Sequence, residues 1–300
     1  MADTPARKPK NITFLKIYAS GKYYVTGIRK YTDEHPIYLL AAGLAFNALL
    51  CIVPVVLFLF YGLGIWLEKR SILDVIDGQL HTFIPQDNYR ATIINVLRDQ
   101  IFLIIRNGRV AGLIGLLGSL WTGSTLFASA RTALNRVYGF RPERFFFLYK
   151  LRDIGMVLVL GILVIAAMCI TPFAHVATYY GSSFFSSETN RWLGSAIPFV
   201  FSVLFSLVLF FLLYRSLAHH KVETRSAFAG AVTATVLWEC AKVVFTFYLM
   251  RFTMLGVLYG TYTFLVVAAL WIYYSAAVFI IGGVVTRLYW EREEAKASSV

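Results

Sequence analysis

Residues 228–252 read FAGAVTATVLWECAKVVFTFYLMRF. The stretch is long enough to cross a hydrocarbon core of about 30 Å, which takes roughly 20 apolar residues in a helix. Near its centre it carries an acid and a base three residues apart, Glu239 and Lys242. Five further apolar stretches of spanning length flank it, at 37–67, 110–128, 154–176, 195–217 and 263–285. Lipid offers the backbone no hydrogen-bonding partner, so a spanning segment must satisfy its own N–H and C=O groups. Continuous apolar runs of this length do that as α-helices. The expected fold class is therefore an all-α integral membrane protein of six transmembrane helices with amphipathic interfacial helices.

Composition agrees with that reading. Of 300 residues, 58% are hydrophobic and 15% charged, against about 25% charged in a soluble domain. The net charge of +12 would suggest nucleic acid for a soluble protein. Here its distribution points to topology, because Lys and Arg gather on the cytoplasmic side of membrane proteins. With the N-terminus inside, the inner segments 1–36, 129–153, 218–227 and 286–300, with Arg215, hold 19 of the 28 Lys and Arg residues. The outer segments 68–109, 177–194 and 251–262 hold eight, and Lys242 lies within a span. Both termini are thus expected in the cytoplasm. Cys51, Cys169 and Cys240 all fall inside spans, with no CxxC pair, and read as small packing residues.

The segments between spans complete the organisation. Residues 1–11 form a polar, basic head expected to be disordered. Residues 12–36 repeat Phe14, Ile17, Tyr18, Tyr24, Val25, Ile28 and Tyr31 at helical spacing, with basic residues on the other faces. That pattern predicts an amphipathic helix lying on the inner leaflet. The membrane domain runs over 37–288, and a charged cytoplasmic tail over 289–300. Between the first two spans, 70–107 predicts a helical hairpin interrupted at Pro85. Pro54 gives the long first span a reason to bend. Helical character is expected to continue past the second span through Ala130, Leu134 and Val137, with Gly139 as the C-cap. Trp121, Trp238 and Trp271 lie well inside spans and are expected to pack within the bundle.

Three segments carry a family resemblance: LLAAGLAFNALLCIVPVVLFL at 39–59, LWTGSTLFASARTALNRVYG at 120–139, and the decisive stretch followed by YGTYTFLVVAALWIYYSAAVFIIGG at 259–283. Together they resemble the YihY / virulence factor BrkB family of bacterial inner-membrane proteins, over roughly residues 25–288. The resemblance implies a six-span protein of the bacterial inner (cytoplasmic) membrane. It also implies a role in the cell envelope, since members are linked to virulence, serum resistance or export of lipopolysaccharide precursors. Some members carry an old ribonuclease BN label. Members often place a Glu just after the small residues of the last span. This chain has Gly282, Gly283, Val284 and Val285 there.

Residues that could carry chemistry are few. An unpaired charge at the bilayer centre costs about 2.5–3.5 kcal/mol on insertion scales, so Glu239 and Lys242 need a purpose. Two readings stand. They form an internal polar site that binds a headgroup or takes up a proton, or they neutralise each other and lock helix packing. Arg131, Asn135 and Arg136 sit at the expected cytoplasmic mouth, where a basic rim could receive lipid phosphates or simply set topology. Arg106 and Arg109 would stand at the outer mouth. Asn47, in the first span, needs a hydrogen-bond partner. His219 and His220 are adjacent in a loop without a nearby Cys, so no metal site and no cofactor is expected. The sequence has no phosphate-binding glycine loop, no HExxH and no GxSxG. An enzyme is not expected. The leading expectation is a transporter or flippase-like handler of an anionic lipid or amphiphile in envelope biogenesis, with membrane lipids as partners and no nucleic acid. The alternative is a non-transporting scaffold for envelope-assembly proteins.

Overall fold

A computed structural model describes residues 23–33, 36–66, 108–140, 149–164, 187–218, 222–251 and 261–298. Among the described residues every regular element is a helix. We number them α1 (23–33), α2 (Ile37–Trp66), α3 (Gly108–Tyr138), α4 (149–164), α5 (Ser187–Leu217), α6 (Thr224–Arg251) and α7 (Thr261–Ala297). Five of these, α2, α3, α5, α6 and α7, are long and apolar enough to cross a membrane. The expected third span, 154–176, is described only to residue 164. The basic head at 1–11, the hairpin at 70–107, Cys169, His219 and His220 lie outside the described residues.

Two helices run past the C-terminal ends of the expected spans. α3 continues to Tyr138 because residues 130–137 keep a buried apolar stripe of Ala130, Ala133, Leu134 and Val137. Gly139 ends it with φ +74°, the left-handed conformation that a Cβ disfavours. The amides of Gly139 and Phe140 bond back to the carbonyls of Arg136 (3.4 Å) and Asn135 (2.9 Å), the paired bonds of a Schellman cap. α7 continues through the charged tail to Ala297 because no Gly or Pro interrupts 284–297. Arg287–Glu291 (2.8 Å) and Lys296–Glu293 (2.6 Å) pair along that extension.

The helices are sorted by side-chain size. α6 buries Ala227, Ala231, Ala234 and Ala241 and exposes Val232, Val236, Val243 and Val244, the third of these 71% exposed. Lipid removes the hydrophobic penalty on the outer face, so close approach of small residues becomes the packing force.

The chain divides into two compact units. The first holds α1, the start of α2 to Leu44, the end of α3 from Ala130, and all of α5, α6 and α7. In it α5 and α6 form an antiparallel pair, closed by the Arg215 guanidinium donating to Thr224 Oγ1 at 3.1 Å. α6 crosses α7 where Gly230 meets Gly282 and Thr286. Tyr214, fully buried, stacks on Phe279 at 5.5 Å and donates its hydroxyl to the Phe279 carbonyl at 2.8 Å. α1 is tied to α7 by Tyr31 donating to Glu291 Oε1 at 2.7 Å, with Gly27 against Leu288. Burial, and then the neighbouring Glu291 carboxylate, push the Tyr31 phenol up to about 12.

The second unit holds α2 from Ala45, α3 to Ser129, and α4. Here α3 presents its small residues. A Cβ on Gly115 would lie 2.7 Å from the Phe58 backbone nitrogen, and Gly118 and Gly123 abut Pro54 and Val157. The expectation that Trp121 packs inside the bundle is corrected. Its side chain is 68% exposed, and the Lys150 ammonium lies 4.6 Å above its ring. The buried stripe of α3 runs through Gly112, Gly115, Ser119 and Gly123. Trp121, two residues from either of the last two, is turned about 200° from them at roughly 100° per residue.

Candidate functional site

Why α6 tolerates two charges follows from its neighbours. Glu239 and Lys242 are one turn apart on one face. The Lys242 ammonium lies 2.8 Å from Glu239 Oε1, and it also donates to Ser202 Oγ of α5 at 2.8 Å. The Ser202 contact is an aligned hydrogen bond. The contact with Glu239 is an ion pair on a buried carboxylate oxygen. The pair is half-buried, Lys242 34% and Glu239 20% exposed.

The antiparallel register of α5 on α6 extends this polar seam. Ser202 meets Lys242 and Phe210 meets Trp238, so the path along α5 from Ser202 toward Phe210 matches the path back along α6 from Lys242. Ser206, buried one turn after Ser202, falls between those contacts. Thr235, one turn before Glu239 on its face, is buried, and its Oγ1 has no hydrogen-bond partner. An aromatic cluster flanks the seam. Trp238 lies 5.2 Å from Trp271, and Phe245 4.5 Å from the same ring. The seam thus combines one cation, one anion and three hydroxyls inside an apolar helix pair.

Ser202, Ser206 and Thr235 were not singled out by sequence reasoning. Two serines four apart in the 195–217 span and a Thr four before Glu239 are visible as polar residues within spans, but only the register of α5 on α6 shows that their faces meet.

The other expected site residues fall elsewhere. Arg131 is half-buried, Asn135 buried and Arg136 exposed, on the last turns of α3 that end in the Gly139 cap. Leu134, beside them, packs on Gly283, and the adjacent Gly282 meets Gly230 of α6. Glu239 is nine residues farther along α6 than Gly230, about 14 Å at 1.5 Å per residue. The ion pair and the α3 basic turn therefore belong to different levels of the first unit. In the second unit Asn47 donates to Ser129 Oγ at 2.7 Å. Arg106 lies outside the described residues, and of Arg109 only its place in α3 is described. Among the described residues no three His, Cys, Asp or Glu gather as metal ligands would.

Comparison with known proteins adds a family. The family model described as virulence factor BrkB matches residues 28–299. The ribonuclease-like protein YfkH of Bacillus subtilis is 25% identical over 257 residues, covering 85% of this chain and 90% of its own length. A UPF0761 membrane protein of Cronobacter sakazakii is 25% identical, covering 85% and 84%. The UPF0761 membrane protein YihY of Escherichia fergusonii is 25% identical, covering 74% and 73%. No solved structure matches.

Proposed function

The chain belongs to the virulence factor BrkB family and is a multi-pass membrane protein, and from that premise we propose that it handles an anionic lipid or amphiphile, as a transporter or flippase-like protein of the bacterial inner membrane with both termini in the cytoplasm. One observation carries the reading: an ion pair held inside an apolar helix, with its cation shared between Glu239 and Ser202 at 2.8 Å each. Charges in a span are costly and mark ligand or ion paths when they are kept. Lys242 is the group that would meet an anionic headgroup. Arg131 and Arg136, on the last turns of α3, would receive it from the inner leaflet. An acid and a base half-buried in an apolar helix pair favour binding over hydrolysis, so the ribonuclease-like name of the Bacillus relative does not enter the proposal.

The second reading, a scaffold for envelope-assembly proteins, draws on the same geometry. The pair neutralises itself, and Trp238 and Trp271 pack beside it, as a device that fixes α5, α6 and α7 would. Lipid mass spectrometry on the protein extracted in native nanodiscs separates the two. Enrichment of an anionic lipid on wild type, lost in Glu239→Ala, Lys242→Ala, is the expected result. A lipid profile equal to bulk membrane in both proteins would favour the scaffold.

A further inference from the structure

Lys242 cannot serve an incoming anion and Glu239 at once without cost. With Glu239 ionised, an arriving anion puts two negative charges around one ammonium in a medium of low dielectric. One proton on Glu239 removes the conflict. The resting site holds Glu239 carboxylate and Lys242 ammonium and has zero net charge. The loaded site would hold a neutral Glu239, the ammonium and one anionic headgroup, and again has zero net charge. Neutrality in both states is what an apolar span demands of a site that changes occupant.

The local geometry supplies what this exchange needs. The bond from Lys242 to Ser202 is independent of Glu239, so the ammonium keeps an acceptor when the carboxylate is neutralised. Glu239 Oε1 has the Lys242 ammonium 2.8 Å away, and a proton on the carboxyl releases that contact. Thr235 Oγ1, on the same face one turn away, is buried without a partner, a hydroxyl suited to a protonated carboxyl. Among the described side chains, α5 between residues 199 and 214 has only Tyr214 as a titratable group, already bonded to the Phe279 carbonyl. α7 between 265 and 286 has only Tyr273 and Tyr274, and α6 adds the exposed Cys240.

We infer that Glu239 is a proton-binding residue and that an anionic phosphodiester headgroup binds at Lys242 together with one proton. The step is balanced. A proton given up by the buffer acid in solution forms an O–H bond on the Glu239 carboxylate. The ion pair to Lys242 breaks, and Lys242 pairs with the headgroup oxygen instead. No other bond changes. The inference rests on the proposed handling of anionic lipid and names how the site is regulated.

The test is calorimetry on the full chain in nanodiscs with dihexanoyl phosphatidylglycerol as the probe. The zwitterionic choline analogue and glycerophosphoglycerol, the soluble phosphodiester, serve as comparisons, from about pH 5 to pH 8. Binding heats in buffers of different ionisation enthalpy count the protons exchanged. We expect about one proton taken up per probe molecule, with affinity falling up to about tenfold per pH unit as pH rises. Glu239→Gln should bind without proton uptake and without pH dependence, and Lys242→Gln should not bind. The proton count on wild type needs no variant, so the inference stays testable even where Glu239→Gln fails to fold. Binding of the probe with no proton uptake would overturn the linkage and leave lipid handling standing. Proton-linked binding of glycerophosphoglycerol equal to that of the probe would keep the linkage and replace the lipid by a soluble anion. No binding of either anion by wild type would overturn both.

Discussion

Replacing Gly230 by alanine places one methyl group where α6 and α7 touch. Its Cβ would lie 2.5 Å from the Gly282 carbonyl oxygen and closer still to Thr286 Oγ1. Ordinary contact begins near 3.4 Å, so the helices must part by nearly 1 Å or the backbone must bend. Overpacking of this kind costs about 1–3 kcal/mol. Thr286 is fully buried and donates to the Gly282 carbonyl at 3.0 Å. Rotating it away strands a buried hydroxyl, at about 1–3 kcal/mol more if no new acceptor is found. Alanine recovers up to about 1 kcal/mol as the better helix former. The net expectation is a loss of about 2–3 kcal/mol. Reversible unfolding of the purified protein by SDS in mixed micelles, followed by tryptophan fluorescence, reads this directly. Gly161→Ala is the control, because a Cβ there meets nothing within 4 Å, and its effect should be neutral or slightly stabilising. Equal stability of Gly230→Ala and Gly161→Ala would refute the crossing of α6 and α7 at this glycine.

Other outcomes follow from single contacts. Lys242→Gln alone, which leaves Glu239 without its cation, should destabilise more than Glu239→Gln, Lys242→Gln together, by about 1–3 kcal/mol; the same unfolding assay checks it, and equal losses would show that the pair is not coupled. Tyr31 is a group whose folded pKa is raised, from 10.0 to about 12, so its bond to Glu291 supports the docking of α1 fully below pH 10 and loses that support as pH rises toward 12. Protease cleavage of α1 should therefore increase over that interval, and Tyr31→Phe should show raised cleavage already at neutral pH with no further step. Asn47→Ala removes the bond to Ser129 and should cost about 0.6 kcal/mol, and at most about 1.7; a double-mutant cycle with Ser129→Ala measures the coupling. Gly139→Ala forces a Cβ into the left-handed region at φ +74° and should cost roughly 1 kcal/mol, visible as a lower midpoint in the same titration.

The spanning helices were legible because their signal is one-dimensional. Length and apolarity suffice to mark 228–252 as a helix whatever packs against it. The Gly139 cap was legible for a similar reason, since only the glycine at the end of the Ala130–Leu134–Val137 stripe suits a left-handed turn. Which face of a helix turns inward was less legible. In a soluble protein Trp121 would mark the core face. In lipid the large apolar residue is free to face outward, and the glycines of α3 mark the interface instead. The ion pair could be named from spacing alone. Its third partner could not, because Ser202 reaches Lys242 only through the register of α5 on α6, and that register depends on aromatic contacts such as Phe210 with Trp238.

That dependence bears on how the site can work. α6 does two jobs at two levels. Around Gly230 it is pressed against α7 backbone to backbone, and there a single methyl group is too much. Nine residues on, at Glu239, the same helix holds an ion pair beside a buried threonine hydroxyl without a partner. A pair kept only to lock packing would gain by engaging that hydroxyl, since every buried polar atom without a bond costs free energy. The tight glycine crossing gives α6 a fixed point against α7, and the open hydrogen-bonding capacity lies where a charge can be exchanged. A rigid anchor joined to an ion pair with an unengaged hydroxyl beside it is the arrangement expected of a binding site held on a stable frame. It is also why substitutions at Gly230 should report on stability, whereas isosteric neutralisation of Glu239 should report on proton uptake.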